Sequence, residues 1–435
     1  MANQFRSVRG FNDVLPADAA AWQFLHATAA EVFAGYGYGE IRLPLLEHTE
    51  LFERSIGAAT DVVEKEMFTF RDRDNDSLTL RPEFTAGVVR AGLEQGLLHN
   101  QQQRLWSAGP VFRHERPQAG RYRQFHQLNV EAYGMAGSDI DVEIIALSAR
   151  LLRRLGLQGV VRLELNSLGT TEARTRYRAA LIGFLQGREA QLDENSRRRL
   201  QTNPLRALDS KDPGTRVAVA DAPSLLDFLD AESAAHFRAV QEALQALGIA
   251  FTLNPRIVRG LDYYSRTVFE WTTDRLGAQG TVLAGGRYDG LVEQLGGSPT
   301  AAIGWAAGIE RLVLLMKEAA VAVPDAGAQV YLCALGDAAQ REAGVLAERL
   351  RDALPALRLV LNAGGGKLPA QLKRADKSGA RLALILGDEE TARQAVQVKL
   401  LERGALRQVS SGAPPQTECS WAELPARLAG LLQTN

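Results

Sequence analysis

The run Gln124-Phe-His-Gln-Leu-Asn-Val-Glu-Ala132 concentrates the most usable chemistry in the chain. Read as a strand, its period of two places Phe125, Gln127, Asn129 and Glu131 on one face and His126, Leu128 and Val130 on the other. One face is then apolar, and the other presents an aromatic plate followed by three hydrogen-bonding groups. The solvated side of an antiparallel sheet often looks like this, but the neighbouring residues favour a ligand. Residues 104 to 123 hold Arg104, Arg113, Arg116, Arg121 and Arg123 against a single acid, Glu115. A guanidinium is a fixed fork that pairs two oxygens of a carboxylate or phosphate at once. Arginine on a strand, as Arg113 is read, beside an arginine-rich loop suits a polyphosphate or a nucleic-acid end. A plain basic surface loop accounts equally well for Arg116 and Arg123. Arginine alone carries little information here, because only seven of the 50 basic residues are lysine.

Three further constellations add to this. In Arg81-Pro-Glu-Phe-Thr85, Pro82 fixes the backbone, and Glu83 and Thr85 alternate onto one side, a carboxylate and a hydroxyl that suit an ammonium. Arg259-Gly-Leu-Asp-Tyr-Tyr264 and Ala284-Gly-Gly-Arg-Tyr-Asp-Gly290 set Tyr263, Tyr264 and Tyr288 beside glycines that let a wall approach a small ligand. Gly304-Trp-Ala-Ala-Gly-Ile-Glu-Arg-Leu312 does the same with small residues and places Arg311 at the start of a helix. Each piece alone reads equally as a turn or tight packing. Gly364-Gly-Gly-Lys367 is no phosphate loop, since G-x-x-x-x-G-K-[ST] is absent. The six histidines lack metal-ligand spacing, no set of metal-binding side chains is readable, and no serine or cysteine stands in a nucleophile motif. A nucleotide site would therefore be built on a sheet, from arginines and an aromatic.

These residues need a scaffold, and the pattern supplies one. Asp18 to Tyr36 is an amphipathic helix, followed by a glycine-broken turn and a short strand, Glu40 to Leu43, stopped at Pro44. Phe68 to Leu80 reads as a hairpin, and Leu105 to Ala132 as two strands around a polar loop, Glu115 to Arg123. From about Thr170 to Gly248 the chain turns Ala-, Leu-, Arg- and Glu-rich with helical periodicity. Strand signals return at Leu253 to Trp271 and Gly280 to Gly290, and Lys317 to Ala328 reads as a linker. Beyond it, Val330 to Leu335, Leu357 to Leu361 and Leu382 to Leu386 alternate with helices Ala338 to Leu354 and Lys367 to Lys377, which is a small α/β domain. With 435 residues, 46% of them hydrophobic, the chain can bury full cores. A net charge of -1 excludes a tail-driven, histone-like nucleic-acid binder. The two cysteines, Cys333 and Cys419, form no metal knuckle or disulfide framework. No signal peptide or membrane span is visible. A reduced, cytoplasmic protein without membrane contact is expected.

In this order the pieces resemble histidyl-tRNA synthetases, which are class II aminoacyl-tRNA synthetases. The resemblance covers nearly the whole chain. It rests on Phe112-Arg-His-Glu-Arg-Pro117, Gly120-Arg-Tyr-Arg-Gln-Phe-His-Gln127, Arg259-Gly-Leu-Asp-Tyr-Tyr264 and Gly285-Gly-Arg-Tyr-Asp-Gly-Leu291, the last two being similar to that family's histidine signatures. It implies an α+β catalytic domain with an antiparallel sheet and flanking helices in two parts, residues 1–169 and 251–320. A helical insertion at 170–250 and a C-terminal α/β anticodon-binding domain at 329–435 complete the expected organisation. The reaction implied joins L-histidine to ATP, with magnesium (Mg2+), as histidyl-adenylate, and then transfers histidine to the terminal ribose of tRNA(His).

The same resemblance distributes roles. Arg113 and Arg259 hold the α-phosphate and the substrate carboxylate and are the catalytic residues. Phe125 stacks on adenine, Arg121 and Arg311 hold the distal phosphates, and Glu115 orients adenine or a metal. Glu83, Thr85 and Gln127 bind the α-ammonium, Glu131 accepts a ring N–H, Tyr264 binds the other ring nitrogen with Tyr263 beside it, and Tyr288 closes the pocket. Arg116, Gln118 and Arg123 touch tRNA, the insertion clamps its acceptor stem, and Lys367, Lys373, Arg374, Lys377 and Arg381 read the anticodon. The N-terminal helix, strand and Pro44 imply a homodimer. Phe84 departs from the family pattern, where a smaller residue is expected, and would narrow the pocket mouth. The rival reading is a histidine-sensing regulatory subunit of ATP phosphoribosyltransferase, which would lack the C-terminal domain and have lost Arg259 and the arginine-bearing strand.

Overall fold

The computed structural model describes residues 5–57, 60, 62–118, 120–202, 204–208, 210, 212–257, 263–277, 280–325, 327–401 and 416–433. It comprises two compact units, residues 1–323 and 324–435. In the first, the strands are β1 (Gly39–Glu40), β2 (Leu46–His48), β3 (Phe68–Arg71), β4 (Ser77–Leu80), β5 (Gln103–Phe112), β6 (Gln124–Tyr133), β7 (Arg162–Ser167), β8 (Phe251–Leu253), β9 (Ser265–Thr272), β10 (Thr281–Arg287) and β11 (Ala302–Gly308). Eight of them form one sheet in the order β1-β5-β6-β11-β10-β9-β7-β8, antiparallel except for the parallel edge pairs β1/β5 and β7/β8. The hairpin β3/β4 expected at Phe68 to Leu80 is present, with β2 added to it. The strand expected at Glu40 to Leu43 is shorter, because pairing with β5 ends at Glu40 and Trp106.

The two faces of the sheet differ in what covers them. Leu128 and Val130 of β6, Ile303, Trp305 and Ala307 of β11, and Phe269 and Trp271 of β9 point into a core shared with helices Pro16–Gly35, Ser138–Arg154 and Ile309–Glu318. Helix Ala231–Ala246 contributes Phe237, Val240 and Leu244 to this core. Composition groups that helix with the helical segment before it, but it packs as part of the sheet's own layer. The short helices between residues 171 and 229 lie elsewhere. Tyr177, Leu181, Leu185 and Leu225 share an apolar cluster with Tyr263, Tyr264 and Tyr288.

Arg287, opposite Ile303 in the β10/β11 ladder, points to the core side. Its guanidinium is wholly buried, pairs with the equally buried Asp141 at 3.2 Å, and donates to the Met135 carbonyl at 2.8 Å. His236 Nε2 lies 2.8 Å from the other Asp141 oxygen. A buried charge needs such a set of partners, so the arginine within the Gly285-Gly-Arg-Tyr motif is structural, and it fixes the backbone that carries Tyr288.

The second unit holds β12 (Val330–Leu335), β13 (Leu359–Leu361), β14 (Leu382–Gly387), β15 (Ala395–Leu400) and β16 (Gln416–Ser420), in the order β13-β12-β14-β15-β16. The first three strands are parallel, and β15 pairs antiparallel with both β14 and β16. The buried Gln371 of helix Leu368–Ser378 bonds both the N–H and the carbonyl of Ala334, pinning that helix to β12. Lys367, Lys373, Arg374 and Lys377 are exposed on and beside this helix, and Arg381 is half-buried.

Candidate active site

The uncovered face of the large sheet holds a cavity of about 400 Å³, within the roughly 300–1,000 Å³ usual for small-molecule sites. Its volume follows from small side chains. In the register of β6, β11 and β10, Asn129 lies opposite Ala306 and then Ala284, and Glu131 opposite Gly304 and then Gly286. Two adjacent strands thus present almost no side chains on this face, and space opens above them. The alternation expected for β6 holds, since Phe125, Gln127, Asn129 and Glu131 line the cavity while Leu128 and Val130 are in the core. His126, on the core side, gives its N–H and Nδ1 to the Glu310 carboxylate at 2.9–3.0 Å and meets Trp22 edge to face.

One end of the cavity is cationic. Arg113, Arg121 and Arg311 all line it. Arg113 follows β5 by one residue, outside the strand proper, though its N–H still pairs with the Arg123 carbonyl. Its Nε donates to Pro82 O at 2.9 Å, and its Cζ lies 5.6 Å from the Phe125 ring centroid. Arg311 donates to the carbonyls of Gly120 and Thr281. Burial, and then the charges of Arg121 and Arg113, hold the Arg311 guanidinium below its ordinary value. Burial does the same to Arg113, opposed by Glu66 and Glu83. Arg121 is ion-paired with Glu115. Like charges gathered in a partly desolvated space are costly unless an anion joins them.

The other end is built on the buried Glu131 carboxylate. Thr85 Oγ1 donates to its Oε1 at 2.6 Å, Asn129 Nδ2 to the same oxygen at 2.9 Å, and the Tyr288 hydroxyl to Oε2. Burial raises Glu131 to about 7 against these three donors, with Glu83 adding to the rise. Glu83 caps helix Thr85–Glu94, accepting from the Thr85 N–H at 2.6 Å and the Ala86 N–H at 2.9 Å, and burial raises its pKa too. Tyr263, Tyr264 and Tyr288 stand together, with ring centroids 4.7, 5.5 and 6.5 Å apart. From the helical segment, Arg174 donates to the Tyr264 carbonyl at 2.8 Å. The Gln127 Oε1 and Asn129 Oδ1 atoms are buried with no hydrogen-bond partner among the described residues.

The residues expected from the sequence divide clearly. Glu83, Thr85, Arg113, Glu115, Arg121, Phe125, Gln127, Glu131, Tyr263, Tyr264, Tyr288 and Arg311 line the one cavity. Arg259 lies outside the described residues. Arg116 and Gln118 are exposed on the turn leading to Arg121, and Arg123 is held by its Nε bond to the Glu115 carbonyl. Phe84 also borders the cavity but is almost wholly buried, with the Arg81 guanidinium 4.0 Å from its ring centroid. Its ring packs against that guanidinium while also lining the cavity. Asn129, Glu270 and Glu310 line the cavity without having been expected as site residues. The β6 alternation that marked Glu131 marks Asn129 equally.

A mixed sheet with an open, arginine-bearing face, helices packed behind it and a separate α/β unit after it is the architecture of class II aminoacyl-tRNA synthetases. A family model described as histidyl-tRNA synthetase matches residues 10–312, and one described as anticodon binding domain matches residues 329–413. The chain belongs to the histidyl-tRNA synthetase family. It is 32% identical to the S. aureus histidyl-tRNA synthetase in its apo form, with a TM-score of 0.79, over 98% of this chain and 100% of that one. A Nostoc sp. histidyl-tRNA synthetase is 20% identical, with a TM-score of 0.71 over 99% and 100% of the two chains. A Bacillus halodurans ATP phosphoribosyltransferase regulatory subunit/histidyl-tRNA synthetase is 23% identical, with a TM-score of 0.66 over 89% and 99%. At these lower identities the last two bear on the fold alone.

Proposed function

We propose that this chain charges tRNA(His) with histidine in two steps. A histidine carboxylate oxygen attacks the α-phosphorus of ATP, forming the mixed anhydride and releasing pyrophosphate. A hydroxyl of the terminal ribose then attacks the acyl carbon, forming the ester and releasing AMP. The carboxylate is ionised at neutral pH, so the first step needs no base. It needs two anions held in line and the developing charge neutralised. The observation that carries this reading is one cavity with three guanidiniums at one end and a buried carboxylate ringed by hydroxyl and amide donors at the other.

In this reading Arg113 and Arg259 hold the α-phosphate and the carboxylate, Phe125 stacks on adenine, and Arg121 and Arg311 take the distal phosphates. The orphaned Gln127 oxygen suits the ammonium, with Thr85 and Glu83 beside it. Glu131 and Tyr264 take the two ring nitrogens and Tyr288 encloses the ring. Magnesium fits as a phosphate-borne ion that neutralises charge on the triphosphate. Among the described residues no group of three acidic, His or Cys side chains makes a metal cage, and Mg2+ is usually held by one or two carboxylates plus substrate phosphates. Glu115, Glu270 and Glu310 border that end of the cavity. The exposed Arg116 and Gln118, with Arg123, would meet the tRNA end, the helical segment its acceptor stem, and the basic positions Lys367 to Arg381 the anticodon. A cytoplasmic homodimer through the N-terminal helix and Pro44 region completes the proposal, and among the described residues no helix is long and apolar enough to cross a membrane.

Retention of Arg113, Arg121, Arg259 and Arg311, together with the anticodon-domain match, favours charging over the regulatory-subunit reading. The test is histidine-dependent ATP–pyrophosphate exchange, followed by charging of tRNA(His). Arg259→Ala should abolish exchange in a folded protein. Histidine binding with no exchange would favour the regulatory reading, and exchange with another amino acid in place of histidine would overturn the specificity.

A further inference from the structure

Of the donors on Glu131, Thr85 and Tyr288 are the two that the functional reading assigns to the ligand as well. When histidine enters, the Thr85 hydroxyl is drawn toward the ammonium and Tyr288 toward the ring. The third donor, Asn129, sits two residues away on the same face of β6, is almost wholly buried, and reaches Glu131 Oε1 at 2.9 Å from a strand held on both sides by β5 and β11. Its backbone cannot follow a ligand. Its remaining oxygen, Oδ1, is buried and unpartnered, and the side chain borders the cavity. A buried amide with one half committed and the other half orphaned is unfavourable in an empty protein and favourable once a ligand N–H arrives.

We propose that Asn129 is a positioning residue for histidine recognition, whose amide fixes the Glu131 carboxylate in orientation and charge so that an oxygen faces the imidazole N–H while Thr85 and Tyr288 change partners. This rests on the proposed function and extends it to a side chain to which neither composition nor motif gave a role. Glu131 faces Glu83 across the pocket, and the phenols of Tyr133, Tyr263 and Tyr288 from the surrounding elements. Burial pushes these three phenols above their ordinary value, so among the described residues Glu83 is the neighbour that competes with Glu131 for negative charge. Losing the Asn129 N–H removes a donor to the ionised form, which shifts Glu131 toward protonation.

The test uses Asn129→Asp, nearly isosteric, with Asn129→Ala as a second variant that adds no charge. Histidine affinity is measured calorimetrically without ATP between pH 6 and 9, and KM for histidine and for ATP by pyrophosphate exchange. Both variants should bind histidine roughly tenfold or more weakly at pH 7.5, the effect of one lost bond to a buried charged acceptor. KM for ATP should stay within about twofold. The acid limb of the affinity profile should move to higher pH, further for Asp than for Ala because a second carboxylate competes for charge. Free histidine titrates identically in every arm, so the difference between variants belongs to the protein. Unchanged histidine affinity and an unmoved limb would overturn the proposal, as would a proportionate loss of histidine and ATP affinity with the limb unmoved. Wild-type protein that binds no histidine at all would instead sink the functional reading, and this inference with it.

Discussion

Replacing Gly304 with alanine should disable histidine recognition while sparing ATP. Gly304 lies opposite Glu131 in the β6/β11 ladder. A methyl there would stand 1.6 Å from Glu131 Oε2, 2.5 Å from its Cδ and 2.6 Å from the Val130 carbonyl oxygen. Gly304 is not among the residues with positive φ, so alanine meets no backbone objection and the effect is purely one of space. Real contacts of this kind do not fall below 3.0 Å, so the carboxylate must retreat by more than 1 Å. That movement breaks the Tyr288 bond and distorts those from Thr85 and Asn129. One or two lost bonds to a buried charged acceptor amount to about 2–4 kcal/mol, or roughly 30- to 1,000-fold in KM for histidine. Pyrophosphate exchange titrated separately with histidine and with ATP would show this as a large rise in the first constant and little in the second. A lower melting temperature should accompany it, because the Val130 carbonyl also has to give. A folded Gly304→Ala protein with KM for histidine within about threefold of wild type would refute the idea that this hydrogen-sized gap defines the pocket.

Glu131 should also leave a mark on stability. Its pKa is raised from 4.5 to about 7, so the folded state is penalised for ionising it. That penalty is absent below about pH 4.5, grows as pH rises, and is complete above about 7. Glu131→Gln should therefore gain stability relative to wild type across that window, by about 3 kcal/mol at most, in urea unfolding at pH 5 and pH 8. A difference that does not change with pH would contradict it. Arg287→Ala strands the buried Asp141 and should lower stability by about 3–5 kcal/mol, read in the same assay, whereas a change under 1 kcal/mol would mean the pair is dispensable. Arg311→Gln should raise KM for ATP roughly 10- to 100-fold while leaving the melting temperature nearly unchanged, since it also relieves crowding with Arg121 and Arg113. An unaltered KM for ATP would place the distal phosphates elsewhere.

Much of the site is legible from period and residue type, because a strand's alternation is local physics. Phe125, Gln127, Asn129 and Glu131 share a face in any extended conformation, and the cavity is lined accordingly. What sequence alone does not convey is who is bonded to whom. The Arg287–Asp141–His236 cluster joins residues from three separate stretches of chain, and only the fold brings them together. Glu83 reads as a ligand group from its neighbours, yet its carboxylate also caps a helix. Phe84 reads as a residue that narrows the pocket mouth, and the Arg81 guanidinium stacked against its ring is not legible in the sequence. In the second unit, β12, β13 and β14 stand out as apolar runs, while β15 and β16 mix polar residues among the apolar ones.

The grip of Arg174 on the Tyr264 carbonyl, with Tyr177, Leu181 and Leu185 packed in the same apolar bed as the pocket tyrosines, bears on how the protein can be trimmed. Excising residues 171–229 to obtain a minimal core would strip the packing from behind the tyrosine end of the cavity. Such a truncation should lose discrimination among amino acids before it loses the nucleotide. Conversely, on the proposed function, libraries aimed at accepting imidazole analogues have a lever in the inward side of helix Thr171–Gln186, which packs against the cavity's tyrosines without itself lining the cavity.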